Sequence, residues 1–470
     1  MRKKVSSAAA RRLIRPALAL ILLTALLSCL QQRPDGAGAV DRSGEEWNQN
    51  WPQWRGPNMD GVAPHGDPPL VWSETENVAW KVAIPGLGAS TPVIWGDLIF
   101  LQTAVPVGDE VDSQQKLKDW QADGTAIFQN QHYTPARQKQ RFEVVAIERQ
   151  TGTIRWRRAV HEELPHEGIH PTNTWASASP VTDGQHLLAF FGSSGLYMLT
   201  LTGELVWQKD LGDMETRNGW GEGSSPAMFG DKIVVNWDHE GDSFIVALDK
   251  ASGKELWRQP RDEVTSWFTP VVVPANGRDE IVTTGAKHVR GYDLETGELL
   301  WQGPGLTVNA IPTPITRNGT AYVTSGYRGN VFMAIKLDRA TDDLEAADAI
   351  AWRYDSDTPY VATPLLYHDQ LYFTKQLKGI LTSVDSRTGE RIYGPVRLDG
   401  MKMIYASPVA AAGRIYLVSR GGVTTVIAEG PQFRTLAVNR LDDEFDASPA
   451  IVDNALFLRG KEYLYKIAAD

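Results

Sequence analysis

Four long polar stretches, 103–140, 158–176, 208–223 and 236–243, hold five of the nine histidines in this chain, with His132 in the first, His161, His166 and His170 in the second and His239 in the fourth. The segment from Leu164 to Ala178 carries His166, Glu167, His170 and Trp175. Met214 to Ser224 carries Arg217, Asn218, Trp220 and Glu222. Trp237 to Phe244 carries Asp238, His239, Glu240 and Asp242. Neutral imidazoles and carboxylates are donors for zinc or another divalent ion, so His166, His170, Asp238 and His239 are the expected ligands if a metal binds. The spacing of His166 and His170 fixes a metal geometry on a helix but not on a loop. With Trp175 and Trp220 as aromatic walls, the same residues make the mixture that a polar-ligand pocket or partner patch needs. The plainer alternative is that these histidines and acids bond neighbouring backbone.

The elements that must position these loops are legible as repeats. A Ser-Pro or Thr-Pro step recurs at Pro92, Pro180, Pro226, Pro270, Pro314, Pro364, Pro408 and Pro449, at spacings of 88, 46, 44, 44, 50, 44 and 41 residues. Each step leads into apolar stretches, most of them divided by polar turns. A period of about 40–50 residues with four short strands is that of a propeller blade. A second element closes most blades. It runs from Ala247 to Trp257, from Ala146 to Trp156 and from Gly291 to Trp301, with a Ser/Thr-Gly turn between two strands. The many tryptophans are expected to stack between blades. The last blade lacks an outer strand, and Asn77–Ala83 has the pattern to supply it. The expectation is an all-β fold, a single eight-bladed propeller over 71–470 with an N-terminal strand closing the last blade.

In this grammar the long loops share one face, that of the b–c and d–a connections, and long loops on one face of a rigid scaffold are where binding sits. The b–c loops of blades 4–8 add Lys287 and His288, Arg328, Lys375 and Lys378, Arg420, Arg459 and Lys461. They read either as a cationic arc for an anionic ligand or acidic partner, or as solvated turns.

Residues 2–15 hold six basic residues and no acid, and 17–27 are almost wholly apolar. This is a signal-peptide pattern, too short for a comfortable membrane span. It ends in Leu26-Leu27-Ser28-Cys29, which is similar to a bacterial lipobox, and Cys29 is the one cysteine of the chain. The expected order is a signal peptide at 1–28, a tether lipidated at Cys29 with a lead-in over 29–70, and then the propeller. Leu30 lacks the Asp of the inner-membrane retention signal, which favours the outer membrane. Removing 1–28 leaves 41 basic against 57 acidic residues. Such an acidic body suits neither nucleic acid nor electrostatic adhesion to anionic lipid, and leaves the acyl chains as the membrane contact.

The Ala-x-Asp-x-x-Ser/Thr-Gly-x-x-x-Trp element resembles the tryptophan-docking motif of the pyrroloquinoline quinone (PQQ) repeat superfamily. Trp51-Pro-Gln-Trp-Arg-Gly-Pro-Asn58 resembles the lead-in of its BamB-like bacterial subgroup. The resemblance implies the propeller fold and two functional classes. One is a non-enzymatic periplasmic binding or scaffold lipoprotein with protein partners in the cell envelope, as in outer-membrane protein assembly. The alternative is a quinoprotein dehydrogenase that holds PQQ and Ca²⁺ near the axis and oxidises an alcohol or sugar. The chain has no vicinal cysteine pair and no Cys-x-x-Cys-His haem motif. The binding class is therefore the expected one.

Overall fold

The computed structural model describes residues 44–111 and 133–469. The signal segment, Cys29 and His132 lie outside the described residues. Eight four-stranded antiparallel sheets form the propeller. In blade 3, for example, the strands are Ala227–Phe229, Lys232–Trp237, Phe244–Asp249 and Glu255–Pro260, in spatial as in chain order. In blade 8 the strands Ala450–Val452, Ala455–Arg459 and Tyr463–Ile467 are followed outward by Val78–Ala83. That strand pairs antiparallel with Tyr463–Ile467, with Lys81 opposite Tyr465. The second and third strands of each blade are covered on both faces by neighbouring blades, so Lys232–Trp237 is buried throughout. The outermost strand Glu255–Pro260 is exposed at every second or third position.

Two repeated contacts join the blades. Trp80, Trp156, Trp207, Trp257 and Trp352 each donate the indole N–H to a carbonyl in the next blade, on Arg149, Leu201, Lys250, Leu294 and Ser386, at 2.9–3.2 Å. Each ring lies over a turn glycine with positive φ. A Cβ on Gly152, Gly203, Gly253, Gly297 or Gly389 would sit 2.6–3.0 Å from indole carbon. The Ser/Thr-Gly turn is therefore glycine for two reasons, conformation and the ring above it. Trp301 departs from the expected inter-blade stacking. It is fully buried, donates to Glu280 Oε2 at 2.9 Å, and packs with Leu344 from the long connection of blade 5.

The second contact explains the Ser/Thr-Pro steps. The residue before each proline accepts, through its hydroxyl, the backbone N–H of its counterpart one blade earlier. The bonds run Thr91 to Ser179, Ser179 to Ser225, Ser225 to Thr269, Thr269 to Thr313, Thr313 to Thr363, Thr363 to Ser407 and Ser407 to Ser448, at 2.9–3.2 Å. Proline next in line supplies no N–H that would compete. The eighth bond is missing: Thr91 Oγ1 has no partner, and Ser448 Oγ accepts from Trp54 Nε1 at 3.4 Å as well as from the Ser407 amide.

Candidate functional site

The lead-in forms a strap across the face of the a–b turns. Trp47, in the short helical turn Glu45–Asn48, is buried against Trp95, and Trp51 forms a bridge with Ile94 in blade 1. Pro52 carbonyl accepts from Thr182 in blade 2. The buried Arg55 guanidinium donates to the carbonyls of Pro408 and Pro364 at 2.7 and 2.9 Å. Ala63 and Gly61 bond Ala410 of blade 7. Trp54 is carried to the axis, where it lines a cavity of about 380 Å³ that the hydroxyl ring also borders.

The cavity belongs to the opposite, long-loop face, and its wall follows one register. The residue two positions before the hydroxyl of each Ser/Thr-Pro step faces it in all eight blades: Ala89, Ser177, Gly223, Trp267, Ile311, Val361, Tyr405 and Asp446. The first three blades supply small side chains there. The loops at 165–175 and 214–223 fill the space they leave with His170, Asn173, Trp220 and Glu222. Tyr327 and Tyr360 complete the wall, stacked at 4.7 Å between centroids, and Asn309 Nδ2 donates to the Tyr360 hydroxyl at 3.0 Å.

The long loops interlock. Thr216 donates from its hydroxyl to Glu167 Oε1 at 2.5 Å and from its backbone to Oε2 at 3.1 Å. Thr265 bonds Glu240 at 2.8 Å and accepts from the Arg217 amide at 2.8 Å. His166 Nε2 lies 2.8 Å from Met214 carbonyl, and His239 Nδ1 accepts from the Glu215 amide at 3.1 Å. Trp175 donates to Glu167 carbonyl at 3.3 Å, and His170 Nδ1 lies 2.7 Å from Thr172 Oγ1. Asp242 is exposed. Glu222 reaches under the turn Gly192–Ser194, where the amide and hydroxyl of Ser193 both donate to it. A Cβ on Gly192 would coincide with its Oε2. Behind Glu222 lies a chamber of about 40 Å³, bordered also by His166 and Glu167 and large enough for a water molecule.

Burial pushes Glu222 up to about 7, with Ser193 and His166 only partly offsetting it. Burial opposes the charge of His166, but the Met214 carbonyl, Glu222 and Glu167 outweigh it, and the imidazole is held above its ordinary value. The folded protein thus keeps protons here that the unfolded chain releases as pH rises from about 4.5 to about 7. Stability contributed by these groups is fully present at low pH and is lost through that window. Unfolding free energies from urea denaturation at pH 5 and pH 8 should differ by on the order of 1–3 kcal/mol more in the wild type than in Glu222→Gln. Equal slopes in the two proteins would contradict the assignment.

Two expectations are corrected. His166, His170, Asp238 and His239 do not form one metal site, and among the described residues no group of three or more His, Cys, Asp or Glu is placed to hold an ion. Asp238 is turned into the protein, where both oxygens are taken by Arg261 at 2.7 and 3.1 Å and Oδ2 also by Ser266 at 2.6 Å. His239 spends Nδ1 on the amides of Glu215 and Gly241. The cationic arc is offset over part of its length. Lys375 pairs with Asp357, Arg420 with Asp446, Lys461 with Glu444, and His288 faces Asp262. Arg459 is buried on Ser90, Arg328 lies over the Tyr327 ring, and Lys287 and Lys378 are exposed. The acids that pair with the arc come from the neighbouring d–a loops. Sequence reasoning also missed Trp54, Trp267, Tyr327, Tyr360, Tyr405 and Asp446. For Trp267, Tyr405 and Asp446 the signal was present, two residues before the Ser/Thr-Pro hydroxyl.

The strand order makes this chain an eight-bladed propeller. Residues 192–347 match the family described as outer membrane protein assembly factor BamB. BamB from Moraxella catarrhalis is similar in structure, at 14% identity over 69% of this chain and 93% of that one, with a TM-score of 0.51. A quinohemoprotein alcohol dehydrogenase, ADHIIG of Pseudomonas putida HK5, is similar at 10% identity over 93% and 82%, with a TM-score of 0.54. The computationally designed Ika8 protein is similar at 12% identity over 72% and 97%, with a TM-score of 0.51. No curated protein matches the chain in sequence. At these identities the similarity is one of fold, which BamB and the dehydrogenase share.

PQQ is a planar tricarboxylate, and a quinoprotein site must meet its charge with cations and with Ca²⁺. The described residues lining the axial cavity include two carboxylates, Glu222 and Asp446, and no Lys or Arg. Arg420, which lies beside the cavity, is engaged by Asp446 at 2.7 Å. The residues present do not fit this cofactor.

Proposed function

We propose that the protein is a non-enzymatic binding or scaffold lipoprotein of the periplasm that works through the long-loop face of its propeller. In this reading residues 1–28 are removed, Cys29 carries the acyl chains, the lead-in tethers the ring to the outer membrane, and the partners are proteins of the cell envelope. The match of 192–347 to the BamB description supports outer-membrane protein assembly as the setting. The carrying observation is the preformed cavity: a ring strapped on one face, with loops locked to one another on the other, presents directed polar groups against aromatic walls. The alternative, a quinoprotein dehydrogenase, meets a cavity lining of the wrong charge.

Two measurements test this reading. Wild type is expected in the outer-membrane fraction with a lipid mass on its N-terminus, and Cys29→Ala in the soluble periplasm. Incubation with PQQ and Ca²⁺ is expected to leave no retained quinone absorbance and no alcohol-dependent dye reduction. Retained quinone together with turnover would overturn the scaffold reading. A Cys29→Ala protein that stays on the membrane would overturn the anchor.

A further inference from the structure

The axial cavity has a lining that selects by charge. Six Trp and Tyr rings line it, from Trp54, Trp220, Trp267, Tyr327, Tyr360 and Tyr405. The ionisable groups that share it are Glu222, Asp446 and His170, besides the tyrosine hydroxyls. Asp446 accepts from Arg420 Nη2 through Oδ2, while its Oδ1 is buried with no hydrogen-bond partner. A buried carboxylate oxygen left without a donor calls for one. Aromatic faces carry a negative quadrupole, so they attract the same charge that the carboxylates attract.

We propose that the axial cavity binds an organic ammonium ion, a protonated amine on an apolar stem, with the stem against the aromatic wall and the ammonium donating to Asp446 and Glu222. This deepens the binding reading above and rests on it. The register that builds the wall makes the site a property of this chain's own residues: small side chains in blades 1–3 leave the room, Trp267 and Tyr405 supply flat surface, and blade 8 supplies the acid. The small chamber behind Glu222 lets that carboxylate turn between Ser193 and the cavity, since Glu222 borders both spaces.

Binding should depend on pH. Glu222, held up to about 7, is faced by His166 and Glu167 from the 164–170 loop and by Ser193 from the turn above it. Asp446, raised to about 6 by burial, is faced by Arg420 from blade 7 and by Lys461 and Glu444 from blade 8. Acid neutralises both carboxylates and adds positive charge on His166, so each of these changes works against a cation.

The test is calorimetric titration of the full mature protein with three probes of one length: 1,5-diaminopentane, 1,5-pentanediol and glutarate. The diamine alone should bind at pH 8. Its affinity should fall at least tenfold at pH 5 and at least fivefold in Asp446→Asn and in Glu222→Gln. Heat-denaturation midpoints at pH 8 no lower than that of wild type establish that the variants are folded. Trp267→Phe, which keeps a ring, should bind within threefold of wild type, and Trp267→Ala should bind more weakly than that. Diol binding as tight as diamine binding, glutarate binding, or diamine affinity indifferent to pH and to both acid variants would overturn the proposal. Those results would leave the scaffold reading standing, whereas quinone retention and turnover would remove that reading whatever the diamine does.

Discussion

Asp238→Ala is expected to lower the stability of the propeller by about 3–5 kcal/mol, the largest effect of any single change in the long loops. Asp238 and Arg261 are both fully buried, and their ion pair is bidentate. The guanidinium also donates to Thr283 Oγ1, Tyr292 hydroxyl and Thr284 carbonyl at 2.9–3.1 Å, so its whole donor set is used. Removing the carboxylate leaves a buried cation without its paired acid, which costs far more than the pair contributes when intact. The double variant Asp238→Leu/Arg261→Met, which removes both charges and keeps the volume, should recover most of the loss. Chemical denaturation of the single and double variants decides the matter. A single variant as stable as wild type, or a double variant no better than the single, would show that the pair is solvated rather than buried.

Trp257→Ala should cost about 3 kcal/mol or more. The ring is the contact between blades 3 and 4: its N–H bonds Leu294 carbonyl at 3.0 Å, and its face covers Gly297. Truncation loses that packing and leaves a half-buried carbonyl without its donor. Gly297→Ala attacks the same joint from the other side, because the added Cβ would lie 2.6 Å from the indole at a φ of +74°. The two changes should be strongly non-additive in a double-mutant cycle, since either one alone undocks the ring. An unchanged denaturation midpoint in Trp257→Ala would refute the docking role.

The blade count was legible because each blade carries its own punctuation, and both marks turn out to be inter-blade bonds. The Ser or Thr before proline is a hydrogen-bond acceptor for its neighbour, and the turn glycine is the seat of a tryptophan. Repetition makes such marks visible in a single chain. Trp301 was misread because its surroundings are set by the connection at 337–349, which no other blade repeats. The site was legible only in outline. The loops that meet could be named from their length and polarity, but Asp238 and Arg261 stand 23 residues apart, and no local pattern ties them. Lone residues such as Asp446 gave no signal by type. Their register against the repeat carried it, together with the fact that the eight positions converge on one axis.

The strap across the a–b face ties together distant parts of the chain in time as well as in space. Arg55 bonds carbonyls 309 and 353 residues further on, in blades 6 and 7. Contacts of such separation make a topology slow to fold, because the chain between them must be ordered first. During synthesis from the N-terminus, Trp47 and Trp51 emerge among the first residues of the ordered body, while the last surfaces that bury the strap appear more than three hundred residues later. Trp47 and Trp51 meet blade 1 early, but Trp54 and Arg55 wait for blades 6 to 8, and a segment left unburied in this way aggregates or engages a chaperone. Blade 7 completes the seat of Arg55, and blade 8 then closes the ring on Val78–Ala83.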